Sequence, residues 1–268
     1  MPAVALTIAG SDPSGGAGVQ ADLKTFAAFG VYGAAVVTAL TAQSTRGVAR
    51  TWPVPDAFVT EQLDVVLDDL RPAAAKTGML ATGACVAAVA SALARRPALP
   101  LVVDPVLAAS TGQALADADV LETIRRTLLP RATLVTPNLD EAEALLGAPV
   151  RSRADVRAAA AALVERGAAA ALVTGGHLAG SACDVLAYAG RLVELDAPRV
   201  PGTAVHGTGC ALSAAITAAL ARGDALETAV RRAKAYVTRA IAGALAVGHG
   251  LRVVDHAVAA NGPGGRRS

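Results

Sequence analysis

The chain has 268 residues, of which 53% are hydrophobic and 17% charged, a balance that predicts a sizeable buried core and excludes disorder over most of its length. Lysine and arginine number 24 against 22 acidic residues, so the formal net charge of +2 gives no electrostatic footprint for nucleic acid. Aromatic residues make up only 3% of the chain, too few for a base-stacking platform. We therefore expect a compact protein that does not bind DNA or RNA.

Cysteine usage and apolar patterning indicate the cellular setting. The three cysteines are widely separated and show no metal-ligand spacing, so neither a disulfide framework nor a structural zinc site is expected. The apolar N-terminal segment has no basic region or cleavage site, and no apolar run is long enough to cross a bilayer. These features predict a cytoplasmic protein with no membrane partner. Residues 1–258 are predicted to form one domain and residues 259–268 a disordered tail.

The first half of the chain alternates short apolar runs with helical spacing of apolar residues. The predicted elements are a strand at residues 3–9, helices at residues 19–26 and 59–70, and strands at residues 101–103 and 134–135. The strands are continuous apolar runs, as expected when helices cover both faces of a sheet. This pattern predicts a three-layer α/β fold with a central, mostly parallel sheet.

The second half continues the same alternation and ends in a long helix. The predicted elements are a helix at residues 154–167, a strand at residues 168–174, an antiparallel hairpin at residues 183–188 and 192–195, and a helix with apolar residues from Leu226 to Leu245.

A glycine-rich segment, residues 10–18, follows the first strand, where α/β proteins present backbone groups to ligands. Residues 16–21 match the loose GxGxxA form of the dinucleotide fingerprint. The acidic residue that such a site needs about 20 positions further on is missing, since residues 36–44 contain none and the next is Asp56. A NAD site is therefore disfavoured, and a tight structural turn is the alternative.

A second glycine-flanked turn, Gly207-Thr208-Gly209-Cys210, leads directly into an apolar helix that runs to Leu220. Backbone N–H groups at a helix N-terminus form an anion site suited to a phosphoryl group in transit. The positive end of the helix dipole is expected to lower the pKa of the Cys210 thiol. The alternative is that Cys210 is a small buried apolar residue and the glycines only form the turn.

Oxygen-bearing side chains follow two further strands. Asn138 is predicted to cap a helix in a capping box with Glu141, and Asp104 follows the strand at residues 101–103. Because the carboxyl ends of parallel strands meet at one edge of a sheet, these oxygens are candidates to hold a hydrated Mg²⁺. No GxxxxGK[ST] motif occurs, so a nucleotide must bind by a scheme other than a P-loop.

Several segments occur together in an order typical of one family. They are residues 8–18, 20–25, 38–43, 76–80, 104–106, 136–139, 175–177 and 206–210. In these segments the chain resembles the hydroxymethylpyrimidine and phosphomethylpyrimidine kinases of thiamine biosynthesis, which belong to the ribokinase-like superfamily. The resemblance implies an enzyme that uses ATP and Mg²⁺ to phosphorylate hydroxymethylpyrimidine and then its monophosphate. It also implies a homodimer.

The resemblance further implies roles for individual residues. The implied pyrimidine pocket comprises Gln43, Gly10, Asp22, Met79 and Val106. Cys210 stands where many superfamily members carry an aspartate general base, and Gly207, Thr208 and Gly209 supply the anion site beside it. The implied metal residues are Asp104 and Glu141. The implied nucleotide-binding residues are Asn138, Thr174 and Lys234, with Thr174 standing where the family usually has lysine.

Other functions are compatible with parts of this pattern. A pyridoxal kinase of the same fold would share the glycine turns and the cysteine. Only a comparison of turnover with hydroxymethylpyrimidine and with pyridoxal separates the two kinases. A catalytically silent pyrimidine-binding protein is the non-enzyme alternative. It is disfavoured by the presence of Cys210, Asn138 and Glu141, although Thr174 keeps it open.

Overall fold

The fold is taken from a computed structural model, which describes residues 2–109, 112–113, 115–176, 182–200 and 205–260. The strands are β1 (Val4–Ser11), β2 (Tyr32–Ser44), β3 (Gly47–Pro53), β4 (Ala74–Thr77), β5 (Leu101–Val103), β6 (Leu134–Val135), β7 (Ala170–Val173), β8 (Ala182–Tyr188), β9 (Arg191–Ala197), β10 (Val205–His206) and β11 (Arg252–Val253). The helices are α1 (Gly18–Ala28), α2 (Asp56–Asp69), α3 (Gly83–Ala94), α4 (Val120–Thr123), α5 (Leu139–Leu146), α6 (Arg153–Glu165), α7 (Thr208–Ala221) and α8 (Leu226–Ala242). A π-helical turn, Ile124–Leu128, and a 3₁₀ turn, Leu129–Arg131, extend α4.

Nine of these strands form one sheet in the order β3-β2-β1-β4-β5-β6-β7-β8-β9. The interior strands from β2 to β7 in this order pair in parallel, and β3, β8 and β9 pair antiparallel at the two edges. The prediction of a mostly parallel sheet is confirmed, as is the predicted hairpin, which is β8 and β9. β10 and β11 form a separate two-stranded parallel sheet.

Helices cover both faces of the large sheet, which explains why its strands are apolar without alternation. In β1, Leu6 and Ile8 pack into one core and Ala5 into the other. The first core includes residues of α2, α3, α5 and α6, and the second includes residues of α1, α7 and α8. A strand that is buried on both sides is apolar at nearly every position, and the polar residues that it does contain need buried partners.

The long C-terminal helix is shorter than predicted. α8 ends at Ala242, and Gly243 follows as its cap, so Leu245 lies outside the helix. The backbone N–H of Leu245 instead donates to the carbonyl oxygen of Val253 at 2.8 Å, and the Val253 N–H donates back at 2.9 Å. The apolar spacing continues past the end of the helix because Leu245 pairs with another segment of the chain.

Two predictions concern residues at the limits of the described structure. Of the predicted tail, residues 261–268 lie outside the described residues, and the carbonyl oxygens of Ala259 and Ala260 accept hydrogen bonds from Arg239. His177, in one of the segments that carry the family resemblance, also lies outside the described residues.

Within the part of the chain that is described, no helix has the length and apolar character to cross a membrane.

Candidate active site

The carboxyl ends of the parallel strands meet at one edge of the sheet, where α/β proteins bind ligands. Predicted site residues lie at or just beyond the ends of β1, β2, β4, β5, β6 and β7. They are Gly10, Gln43, Met79, Asp104, Val106, Asn138 and Thr174. Helix α7 begins at the same edge, since Ser213 in its second turn donates to Asp104 Oδ2 at 2.8 Å.

Two glycine loops contact each other at this edge, and we call them the first glycine loop (residues 10–18) and the second glycine loop (residues 206–210). Gly207 has φ +87°, and a Cβ there would lie 1.8 Å from the carbonyl oxygen of Gly16. A Cβ at Gly16 would lie 2.6 Å from Cδ2 of His206. Gly207 therefore requires glycine because a Cβ would meet the backbone of Gly16, and a Cβ at Gly16 would meet the buried side chain of His206.

Asp12 organises the first glycine loop. Its Oδ1 accepts from the backbone N–H of Ser14 at 2.8 Å and its Oδ2 from the N–H of Ala17 at 2.9 Å. His206 Nε2 lies 2.8 Å from the same Oδ2. Burial of the carboxyl group opposes its ionisation, but hydrogen bonds from His206 and Ser14 outweigh burial and lower the pKa of Asp12. Asp12 is thus an ionised acceptor that joins the two glycine loops.

The apolar wall of the predicted pyrimidine pocket is assembled at the strand ends. Met79 and Val106 pack in one small cluster with Ala39. Gly10 lies against Met79, because a Cβ at Gly10 would lie 2.9 Å from the Met79 sulfur. The structure therefore brings three predicted pocket residues together around one apolar surface.

Gln43 lies at the polar end of the same edge. Thr41 Oγ1 is 2.9 Å from the carbonyl oxygen of Ser11, the residue after Gly10, and 3.1 Å from the side-chain amide of Gln43. Gln43 Nε2 also lies 3.2 Å from His206 Nε2. Gln43 is therefore held between the first strand and the second glycine loop.

Sequence analysis missed a buried lysine in this region. Lys76, in β4, is fully buried, and its Nζ lies 2.9 Å from both carboxylate oxygens of Asp22. Thr7 Oγ1 also donates to Asp22, at 2.6 Å. Burial disfavours the charged form of lysine, but the charge and hydrogen bond of Asp22, together with the charges of Cys210 and Asp104, outweigh burial and hold the pKa of Lys76 above its ordinary value. The available signal was a lysine inside a buried strand of small residues, Ala74–Thr77.

The ion pair with Lys76 also bears on the predicted role of Asp22. Asp22 is fully buried, and both of its oxygens already accept hydrogen bonds. A direct contact between Asp22 and the pyrimidine stays a prediction, and the contact that the structure contains is with Lys76.

Cys210 is the third residue of α7 and lies in the electrostatic field of Lys76, Asp22 and Asp104. Burial raises the pKa of the thiol to about 12, while Lys76 and the backbone N–H of Gly18 oppose the increase. The prediction that the helix dipole lowers this pKa is wrong, because lost hydration and neighbouring carboxylates outweigh the dipole. At neutral pH Cys210 is protonated.

Glu141 caps α5 and lies near a second buried carboxyl group. Its Oε2 accepts from the Asn138 N–H at 2.9 Å, and Asn138 Oδ1 accepts from the Glu141 N–H at 2.9 Å, which confirms the predicted capping box. Burial raises the pKa of Glu141 to about 8, and the charge of Asp104 acts in the same direction. Two buried carboxyl groups that repel each other fit a divalent cation, because its charge stabilises both and Mg²⁺ prefers oxygen ligands.

Two of the residues implied in nucleotide binding, Lys234 and Thr174, lie beside β8 and directly after β7. Lys234, in α8, donates to Asp184 Oδ2 at 2.6 Å and to the carbonyl oxygen of Ala182 at 3.0 Å. The backbone N–H of Thr174 donates to the carbonyl oxygen of Pro137 at 3.0 Å. Lys234 thus has a structural ion-pair partner, and its contact with a nucleotide stays a prediction.

A mostly parallel sheet with a glycine-bounded helix N-terminus and buried carboxyl groups at one edge defines a ribokinase-like fold. Solved structures agree. The chain matches the ADP complex of Bacillus subtilis pyridoxal kinase with a TM-score of 0.89 and 33% identity, over 96% of this chain and 98% of that one. It matches phosphomethylpyrimidine kinase from Clostridium difficile with a TM-score of 0.80 and 37% identity, over 89% and 99% of the two chains.

Sequence comparison narrows this class to one family. The profile described as phosphomethylpyrimidine kinase matches residues 12–255. A hydroxymethylpyrimidine/phosphomethylpyrimidine kinase from Streptomyces coelicolor is 48% identical over 255 residues, which cover 95% of this chain and 94% of that protein. The chain belongs to the phosphomethylpyrimidine kinase family.

Proposed function

We propose that this protein is an ATP-dependent kinase that phosphorylates hydroxymethylpyrimidine and then its monophosphate, in the cytoplasm, for thiamine biosynthesis. The observation that carries the proposal is the convergence of Gln43, Met79 and Cys210 with both glycine loops at one edge of the sheet. An apolar wall with a polar amide suits a pyrimidine ring, and a helix N-terminus suits a phosphoryl group.

In the proposed reaction the oxygen of the substrate hydroxymethyl group forms a bond to the γ-phosphorus of ATP, and the bond from that phosphorus to the bridging oxygen of ADP breaks. Phosphoryl transfer depends mainly on positioning and electrostatic stabilisation, which the N–H groups of Gly207 to Cys210 supply. The alcohol proton passes to Cys210 in the small fraction of the protein whose thiol is deprotonated, since a pKa of about 12 leaves most of the thiol protonated at neutral pH. When bound, Mg²⁺ would neutralise phosphate charge, and Asp104 and Glu141 would hold it.

The proposed function is tested by ATP consumption with three acceptors offered separately: hydroxymethylpyrimidine, its monophosphate and pyridoxal. We expect turnover of both pyrimidines, with a higher kcat/KM for hydroxymethylpyrimidine than for pyridoxal. The matched control is the protein without acceptor. Preference for pyridoxal would establish the alternative kinase, which the TM-score of 0.89 with Bacillus subtilis pyridoxal kinase makes a specific candidate. Pyrimidine binding in calorimetry without turnover of any acceptor would indicate a silent binding protein.

Metal use provides a second prediction, and Glu141→Gln is the informative variant. Glutamine retains the capping hydrogen bond but removes the negative charge. We expect the Mg²⁺ concentration for half-maximal activity to rise by about tenfold to a hundredfold, with little change in melting temperature. A Mg²⁺ titration of kcat together with thermal unfolding measures both. An unchanged Mg²⁺ requirement would leave Glu141 with its capping role alone.

The homodimer implied by the family resemblance is part of the proposal. Leu40 and Trp52 pair across β2 and β3, and 44% and 55% of their surfaces are exposed. An exposed apolar pair on an edge hairpin suits contact with a second copy of the chain. Sedimentation equilibrium is expected to give twice the monomer mass, and a monomer across the concentrations used in the assay would contradict this part of the proposal.

A further inference from the structure

One ring nitrogen of His206 lies between the first glycine loop and the amide of Gln43. His206 Nε2 is 2.8 Å from Asp12 Oδ2 and 3.2 Å from Gln43 Nε2. Only 5% of His206 is exposed. These contacts join positions that are 194 and 163 residues apart in the chain. A buried ring held this way has little freedom to rotate.

The partners of His206 determine where its hydrogen lies. Asp12 already accepts from the N–H groups of Ser14 and Ala17, and an ionised carboxylate accepts hydrogen bonds but cannot donate them. His206 Nε2 must therefore carry the hydrogen that faces Asp12.

The hydrogen on His206 Nε2 in turn determines the orientation of the Gln43 amide. A ring N–H is matched by an amide oxygen and not by an amide NH₂ group. The other end of the amide lies 3.1 Å from Thr41 Oγ1, and that hydroxyl lies 2.9 Å from the carbonyl oxygen of Ser11. With the Gln43 amide turned by 180° from the orientation that places Nε2 toward His206, its oxygen faces His206, its NH₂ donates to the Thr41 hydroxyl, and that hydroxyl donates to the Ser11 carbonyl oxygen. In this arrangement the ring hydrogen of His206, one N–H of Gln43 and the hydroxyl hydrogen of Thr41 each have an acceptor.

We infer that His206 is a positioning residue for the acceptor substrate, because its single Nε2–H is shared between Asp12, which holds the ring, and the amide oxygen of Gln43, which that hydrogen keeps in one orientation. This inference rests on the proposed function, in which Gln43 recognises the pyrimidine ring. The second lone pair of the amide oxygen and the second N–H hydrogen of Gln43 remain for that ring. The same histidine precedes Gly207, so the group that orients the acceptor is continuous with the loop that receives the phosphoryl group.

The inference has a readout in the unliganded protein that does not depend on activity. Long-range ¹H–¹⁵N NMR of the histidine rings, with His206 assigned by its loss in His206→Gln, is expected to show a protonated Nε2. A protein in which only Nδ1 is protonated would overturn the inference. Because this spectrum is recorded without substrate, its outcome is separate from the success or failure of the proposed function.

Kinetics with the best acceptor of the wild-type protein provide the second readout. In His206→Leu, the KM for the acceptor is expected to rise by about tenfold to a hundredfold, because the Gln43 amide loses a buried partner. The KM for ATP is expected to change by less than about twofold. His206→Gln places an amide N–H near Asp12 and is expected to recover part of the acceptor KM. It also serves as the second variant if His206→Leu does not fold.

His256→Leu is the matched control. His256 is also buried, at 7% exposure, and its Nε2 has no hydrogen-bond partner among the described residues. Its replacement tests the loss of a buried histidine near the site without loss of the contact to Gln43, and the acceptor KM is expected to stay at the wild-type value. An acceptor KM that is unchanged in His206→Leu, or that rises together with the ATP KM, would overturn the inference.

Discussion

Cys210→Ser is expected to lower kcat by about a hundredfold to ten-thousandfold, the range associated with loss of a general base. A serine hydroxyl is a much poorer proton acceptor than a thiolate, while its size preserves the packing of α7. Steady-state kinetics should show a far larger change in kcat than in either KM. Cys210→Asp, which places a carboxylate at this position, is expected to retain more activity than the serine variant.

The matched control is Cys85→Ser, which replaces a buried thiol, whereas Cys210 is half-buried. Burial also raises the pKa of Cys85 to about 12, and the residue lies in α3 within the apolar core. We expect a change in stability and an unchanged kcat. Wild-type turnover by Cys210→Ser would remove Cys210 from the reaction, and detection of phosphorylated Cys210 during turnover would replace proton transfer with a two-step covalent route.

The raised pKa of Cys210 predicts how kcat depends on pH. A base acts in its deprotonated form, and below its pKa that form increases tenfold with each pH unit. Because the pKa of Cys210 is raised to about 12 by burial, kcat is expected to rise through the neutral and mildly alkaline range without reaching a plateau. A plateau near the ordinary thiol pKa of about 8.5 would contradict the raised value.

Lys76→Met is expected to lower the free energy of unfolding by about 3–5 kcal/mol, because it leaves the fully buried Asp22 carboxylate without its partner. The double variant with Asp22→Leu should recover much of this loss, since neither charge is then buried. Urea unfolding measures both. Arg231→Met is the control, because it removes an exposed pair with Glu227 and is expected to cost at most about 1 kcal/mol.

The Lys76→Met variant should also be more stable in acid than at neutral pH. Burial raises the pKa of Asp22 in the folded protein above its unfolded value even beside Lys76, and loss of the lysine charge raises it further. A group of this kind stabilises the fold below its unfolded pKa, and the contribution is lost as pH rises through the folded pKa. If the free energy of unfolding of Lys76→Met lies within about 1 kcal/mol of the parent value at neutral pH, the ion pair of Lys76 and Asp22 contributes little to stability.

Local patterns predicted the parts of the site that depend on short stretches of chain. The capping box of Asn138 and Glu141 spans four consecutive residues, and the turn at Gly207 directly precedes its helix, so both can be read from the sequence. The strands β1, β5, β6 and β7 were predictable because burial on both faces favours nearly uninterrupted apolar runs.

Long-range contacts account for what the sequence did not predict. The partner of Lys76 is 54 residues away, and no spacing rule connects the two positions. The pKa of Cys210 depends on burial and on carboxylates from other elements, whereas the helix dipole was the only influence visible locally. Leu245 continues the spacing of α8, but its partner is Val253 in another strand.

The contact between Asp12 and His206 also determines when catalytic competence arises during synthesis. The ribosome releases the first glycine loop early, but His206 and the helix after it emerge 194 positions later. A nascent chain that ends before this point has neither the anion site nor the group that orients the acceptor. Truncated translation products that end before His206 are therefore expected to lack kinase activity.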